Sequence, residues 1–155
     1  MADWLEHTVQ VEVPVSIDRV WALWENIELM PNWMKWISSV TIKPENPDLS
    51  VWKLASGGFE FSWQSKITRQ VRHQLIQWES VDGLPNRGAI RFYDRGTEGS
   101  IVKLSVAYSV PSIIRQLMDG LSLGKTVEGA LQADMERFRV YAIAHEAPAQ
   151  NPDTP

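Results

Sequence analysis

The sequence predicts an α+β chain in which seven antiparallel strands form a curved sheet wrapped around one long C-terminal helix, in the order β-α-α-β6-α. Two patterns carry that expectation. Over residues 125–146, Val127, Leu131, Met135, Phe138 and Ala142 recur at steps of three and four, the stripe of an amphipathic helix. From Val40 the period becomes two for about seventy residues, broken only by short turn signals, which favours sequential antiparallel pairing. A mismatch of widths joins the two. Seven strands at about 4.8 Å make a sheet roughly 34 Å across, whereas a helix is about 10–12 Å wide, so one helix covers the apolar face only if the sheet curls.

Residues 6–15 alternate, with Val9, Val11 and Val13 on one face and Thr8, Gln10 and Glu12 on the other, which predicts a half-buried first strand. Ser16 is placed to cap a short helix with Asp18 in its first turn and Ile17, Val20, Trp21 and Trp24 along one side. Pro31 and Asn32 interrupt the next stretch, so 29–37 reads as a second short helix or a pair of turns. Its Trp33, Met34, Trp36 and Ile37 are expected either to cap the core or to form the lip of a cavity. Six strands are predicted at 40–45, 50–56, 59–71, 73–81, 88–95 and 100–110. Turns are expected at Asn46-Pro47-Asp48, Gly57-Gly58, 70–72, 82–86 and 95–99. Between the last strand and the long helix, Gly120 and Gly124 weaken helix continuity, so a kinked or broken connection is expected, with Met118 and Leu121 beside an opening and able to act as a gate. The organisation is one domain over 1–146 and a Pro-rich disordered tail over 147–155.

Composition narrows the function classes. A formal net charge of -4 argues against a nucleic-acid footprint. With no Cys there is no disulfide or thiol chemistry, and the spacing of His7, His73 and His145 suits ordinary surface or helix-end positions rather than a metal site. No metal and no cofactor are expected. No apolar run is long enough to span a bilayer and the N-terminus does not resemble a signal peptide, so a cytoplasmic location is expected, with transient membrane contact left open and oligomeric state unread.

The chain has 8 Trp, and large rings either fill cores or line pockets. Strand parity turns Trp52, Phe61, Trp63, Trp78, Phe92 and Tyr108 toward the helix. Phe59, Phe61 and Trp63 together offer roughly 450–750 Å² of ring surface, which matches the largest apolar patch a typical monomer exposes and so has to be covered. A hollow remains wherever side chains of the two layers fail to meet. The candidate ligand-binding set is therefore Trp33, Trp36, Trp52, Phe61, Trp63, Trp78, Phe92, Tyr108, Met118, Leu121, Leu131 and Met135. The inward polar candidates are Ser65, Gln74 and Tyr108, with Arg69 and Arg72 near a strand end. Tyr108 leads them, but no acid/base pair can be named.

The Val20-Trp21 pair after an alternating strand, followed by Pro31 and Trp33, and the Ile76, Trp78, Ser80, Gly83 pattern at mid-sheet, carry a resemblance. So does the ending at 131–146. The chain resembles the START/Bet v 1-like (SRPBCC) superfamily and, within it, the polyketide cyclase/dehydrase and lipid transport family with its coenzyme Q-binding relatives. The resemblance implies a helix-grip fold with a hydrophobic cavity, and it leaves three functions: a carrier or sensor of a lipid, quinone or polyketide-like molecule; an aromatase-type cyclase/dehydrase; or a protein-interaction module with a packed core.

Overall fold

In the computed structural model, which describes residues 4–117 and 120–146, β1 (Trp4–Val13) alternates as its sequence predicts, burying Val9, Val11 and Val13. Helix α1 (Ile17–Glu25) follows, its first turn closed by the Ser16 hydroxyl accepting from the Arg19 N–H, with Ile17, Val20, Trp21, Leu23 and Trp24 buried. A 3₁₀-helix, Ile27–Asn32, comes next. Pro31 lies inside it, which a short helix of this kind tolerates where a long one would break.

Strands β2 (Ile37–Lys43), β3 (Asn46–Ser56), β4 (Phe59–Val71), β5 (Leu75–Gly83), β6 (Asn86–Asp94) and β7 (Ser100–Ser109) complete the sheet. All seven strands are antiparallel, in the order β1-β7-β6-β5-β4-β3-β2. Two turns differ from expectation. The β2–β3 turn lies at Pro44-Glu45 and Asn46-Pro47 already belong to β3, since Pro is admissible at the start of a strand. The β4–β5 turn spans 72–74, where His73 takes the left-handed conformation at φ 65° that Gly or Asn usually supplies.

Both sheet edges are covered from outside the ladder. On β2 the Ile42 N–H donates to the Glu28 carboxylate at 2.9 Å, and on β1 the Gln10 carbonyl accepts from Gln132 Nε2 at 3.1 Å. These bonds occupy backbone groups that an open edge would offer to another chain.

Helix α2 (Ser112–Leu117) buries no residue, and α3 (Gly120–Ala144) begins five residues earlier than the periodicity suggested. Gly124 is carried inside α3, so no break falls there. Met118 and the 147–155 tail lie outside the described residues, as does the side chain of Leu121. Helix α3 runs closest to β1, with α1 against its other end through Arg19 Nε, which donates to the His145 carbonyl at 2.8 Å. Among the described residues no helix is long and apolar enough to cross a membrane.

Candidate ligand-binding cleft

Packing changes along α3. Met135, Phe138 and Ala142 are 0% exposed, whereas Leu131 and Val127, one and two turns from Met135 toward the N-terminus on the same stripe, are only half-buried. The sealed end is an aromatic knot. Trp24, Trp33 and Phe138 stand within 4.9–5.1 Å of one another, centroid to centroid, in tilted and edge-on arrangements.

The knot is fastened by polar contacts from the 33–35 segment. Arg137 Nε donates to the Trp33 carbonyl at 3.1 Å, while buried Asp134 accepts from the Lys35 N–H at 3.1 Å and from Arg137. Burial is the largest influence on Asp134 and pushes its carboxyl above the usual range; the Lys35 N–H and the Arg137 guanidinium pull the other way. The folded state thus holds this proton more tightly than the unfolded chain. The resulting stability is fully present below the ordinary Asp value of about 3.9 and is lost as pH rises through the raised folded value. The melting temperature of the wild type, measured relative to Asp134→Asn, is therefore expected to fall as pH rises above about 4; a difference independent of pH would contradict the assignment.

Toward the other end the cover thins. Leu54, Phe61, Ile67 and Trp78 lie on the core side of the sheet yet remain partly exposed, as Val106 and Tyr108 do, so this part of the face is incompletely covered. Trp78 lies flat over β6 because position 88 is Gly: a Cβ there would stand 2.5 Å from the Trp78 ring. Its indole N–H donates to Asn86 Oδ1 at 3.1 Å.

The strand register aligns an inner row of small polar side chains, Ser50 opposite Ser65 opposite Ser80, continued through Asn86 opposite Tyr108. Ser50 and Ser65 are almost fully buried, and the Ser50 hydroxyl accepts from Trp52 Nε1 at 2.8 Å. Trp52 in turn stacks on Trp63 at 5.8 Å, 15° from parallel.

One histidine departs from expectation. His7 is 7% exposed and faces α3, its Nε2 3.1 Å from the Tyr108 hydroxyl and its Nδ1 3.4 Å from a Glu128 carboxylate oxygen. A carboxylate only accepts, so the Glu128 contact needs a hydrogen on Nδ1, the tautomer in which Nε2 accepts from the Tyr108 O–H. Desolvation raises the Tyr108 phenol to about 12, so it acts as a hydroxyl rather than a phenolate at neutral pH. Extending the β1 alternation back from Val9 would have placed His7 on the buried face.

Of the residues the sequence singled out, Trp52, Phe61, Trp63, Trp78, Tyr108 and Leu131 share the concave side of the sheet and the facing stripe of α3. Trp33 and Met135 lie in the sealed end, and Phe92 packs edge-on against Trp21 at 5.2 Å; Trp36 is half-buried in the turn before β2. His73 and His145 stay near the surface, the first 2.8 Å from the Asp18 carboxylate. Gln74 and Arg69 are exposed, and the bulge at Thr68 resets the parity of β4 beyond it. A depression of about 350 Å³ that includes Glu6, Thr8, Arg87, Ala89 and Ser105 opens on the outer face of the sheet, where its mixed charges suit water better than an apolar guest. Among the described residues no three His, Asp or Glu side chains gather as metal ligands.

Comparison with known proteins agrees with this architecture. Residues 13–136 match the model of the family described as polyketide cyclase/dehydrase and lipid transport. An uncharacterised protein of Streptomyces lincolnensis is 22% identical over 138 residues, covering 88% of this chain and 87% of its own length. Among solved structures, a Thermus thermophilus protein superposes with a TM-score of 0.77 at 18% identity, covering 92% of this chain and 100% of that one. The Zhui aromatase/cyclase of a Streptomyces species gives 0.70 at 18% identity, covering 97% and 99%. At such identities the structural likeness speaks for the fold.

Proposed function

This chain belongs to the polyketide cyclase/dehydrase and lipid transport family, and from that premise we propose that it holds an apolar small molecule between the concave face of the sheet and the N-terminal half of α3, as a carrier or sensor. The observation that supports this reading is the gradient along one helix stripe, from Phe138 with no exposure to Leu131, which is only half-buried. Apolar side chains that face inward and still meet water form a surface a guest can dry, and burial of such surface drives binding at about 25 cal/mol per Å² before association costs.

A neutral apolar fluorophore is expected to bind saturably to the wild type. Leu131→Trp, which fills the space from the helix side, is expected to weaken that binding at least tenfold while changing stability by less than about 1.5 kcal/mol. Unchanged affinity in Leu131→Trp would place the probe elsewhere and remove the support.

The Glu128, His7 and Tyr108 chain favours a second reading, a cyclase or dehydrase. It links an exposed carboxylate through a buried imidazole to a hydroxyl on the cleft side, an arrangement suited to moving a proton onto or off a bound carbonyl compound. The two readings separate on Tyr108→Phe. An enzyme loses turnover about 100-fold or more with its melting temperature held, whereas a carrier keeps its probe affinity within a few-fold.

A further inference from the structure

The cations on the outer face of the sheet are not evenly matched. Arg87 lies opposite Glu79 across the β5–β6 ladder, 4.0 Å from a Glu6 carboxylate oxygen, with its guanidinium 4.6 Å from the centre of the Trp4 ring. Four residues further along β6, Arg91 stands opposite Leu75 on one side and Lys103 on the other. Like charges set directly opposite destabilise a sheet. A third cation, Arg69, joins them from β4, where it pairs with Gln77 beyond the bulge at Thr68.

Among the described residues no carboxylate forms an ion pair with Arg69, Arg91 or Lys103. The acids at this end of the sheet are engaged elsewhere: Glu12 accepts from Arg95 Nη1 at 2.9 Å, Asp94 accepts from the Gly96 N–H at 2.8 Å, and Asp18 stands 2.8 Å from His73 Nε2. In a chain of formal net charge -4, such a grouping of unmatched cations is not a by-product of composition.

Arg69 and Arg91 line a depression of about 630 Å³ together with Val71, Leu75 and Tyr93. Leu75 is 7% exposed yet takes no part in the hydrophobic core, and the Tyr93 ring is 45% exposed, so the depression has an apolar floor and an aromatic side. Its size falls within the range of about 300–1,000 Å³ that small-molecule sites occupy. Guanidinium groups take planar oxyanions through paired N–H donors, and three cations match two negative charges better than one. The ring and the aliphatic floor suit a flat apolar body.

We propose that the outer face carries an anion site separate from the cleft, in which Arg69 and Arg91, backed by Lys103, hold the dianionic head of a small organic phosphate whose flat apolar body rests on Leu75 and Tyr93. The inference does not depend on the reading of the cleft. Isothermal titration calorimetry of the full chain at neutral pH with naphthyl phosphate and with inorganic phosphate tests it. Naphthyl phosphate is expected to bind saturably, about tenfold or more tighter than inorganic phosphate, and to weaken as the salt concentration rises.

Arg91→Gln and Arg69→Gln are each expected to weaken naphthyl phosphate about tenfold or more, whereas Arg87→Gln, on the same face but already paired with Glu6, leaves it within about twofold. Because Arg91→Gln also relieves the repulsion from Lys103, its melting temperature is expected to hold or rise. Leu131→Trp, placed in the cleft, leaves naphthyl phosphate affinity unchanged. Absence of saturable binding, or equal losses in Arg91→Gln and Arg87→Gln, overturns the inference. So does loss of naphthyl phosphate binding in Leu131→Trp, which would assign the probe to the cleft.

Discussion

Phe138→Ala is expected to lower stability by about 3–5 kcal/mol and the melting temperature by roughly 10–15 °C. The side chain has no exposure, and the rings of Trp24 and Trp33 lie 5.0 and 4.9 Å away, so truncation leaves a hole bounded by rigid walls that cannot collapse into it. Each ring pair also loses a contribution of about 0.5–1.5 kcal/mol beyond burial. Leu131→Ala, two turns away on the same stripe, is expected to cost only about 1 kcal/mol because water already reaches that position. Thermal melts of the two variants side by side measure the gradient directly; equal losses would mean that α3 is packed evenly along its length and would leave the cleft without its basis.

Gly99→Ala is the second large effect, about 3 kcal/mol or more. Gly99 sits at φ 105°, where an L side chain is strained, and a Cβ there would fall 2.2 Å from the Val13 carbonyl and 2.8 Å from Pro14 Cα. Those are backbone atoms of the corner between β1 and α1, and they cannot step aside without pulling on the adjoining Ser100 hydroxyl, which donates to the Val15 carbonyl at 2.8 Å. Gly96 supplies the control: at φ 59° with nothing within 4 Å of its added Cβ, Gly96→Ala is expected to cost about 1–2 kcal/mol. Denaturant titration of both separates the clash from the dihedral strain, and a Gly99→Ala loss no larger than that of Gly96→Ala would refute the steric argument.

The strands and the long helix were legible because each buries a single face, and one-sided burial writes its period into the residues, as Val9, Val11 and Val13 do in β1 and Met135, Phe138 and Ala142 do in α3. Where two or more local rules compete, position slips. Asn46-Pro47 carries turn chemistry but opens a strand, and Gly124 weakens a helix whose neighbours Val127 and Leu131 nonetheless face the sheet. The site was less legible than the fold. Parity indicates which residues face inward, not how far apart the layers stand, and so it could not separate Trp33 in the sealed knot from Trp78 in the cleft. The His7–Tyr108 contact depends on pairing between the first and last strands, which no local pattern displays.

The neighbour of β1 is β7, and that has a consequence for how the molecule is made. While the chain leaves the ribosome, Val9, Val11 and Val13 emerge first, yet the partners that complete their ladder, Val102 and Leu104 among them, arrive only about ninety residues later, roughly 5–20 s at ordinary rates of synthesis. The β2–β5 meander can zip locally during that wait, while the opening strand stays single. Closing the sheet is therefore a late, long-range step, the kind that slows folding and leaves that valine row without its partner strand until β7 arrives.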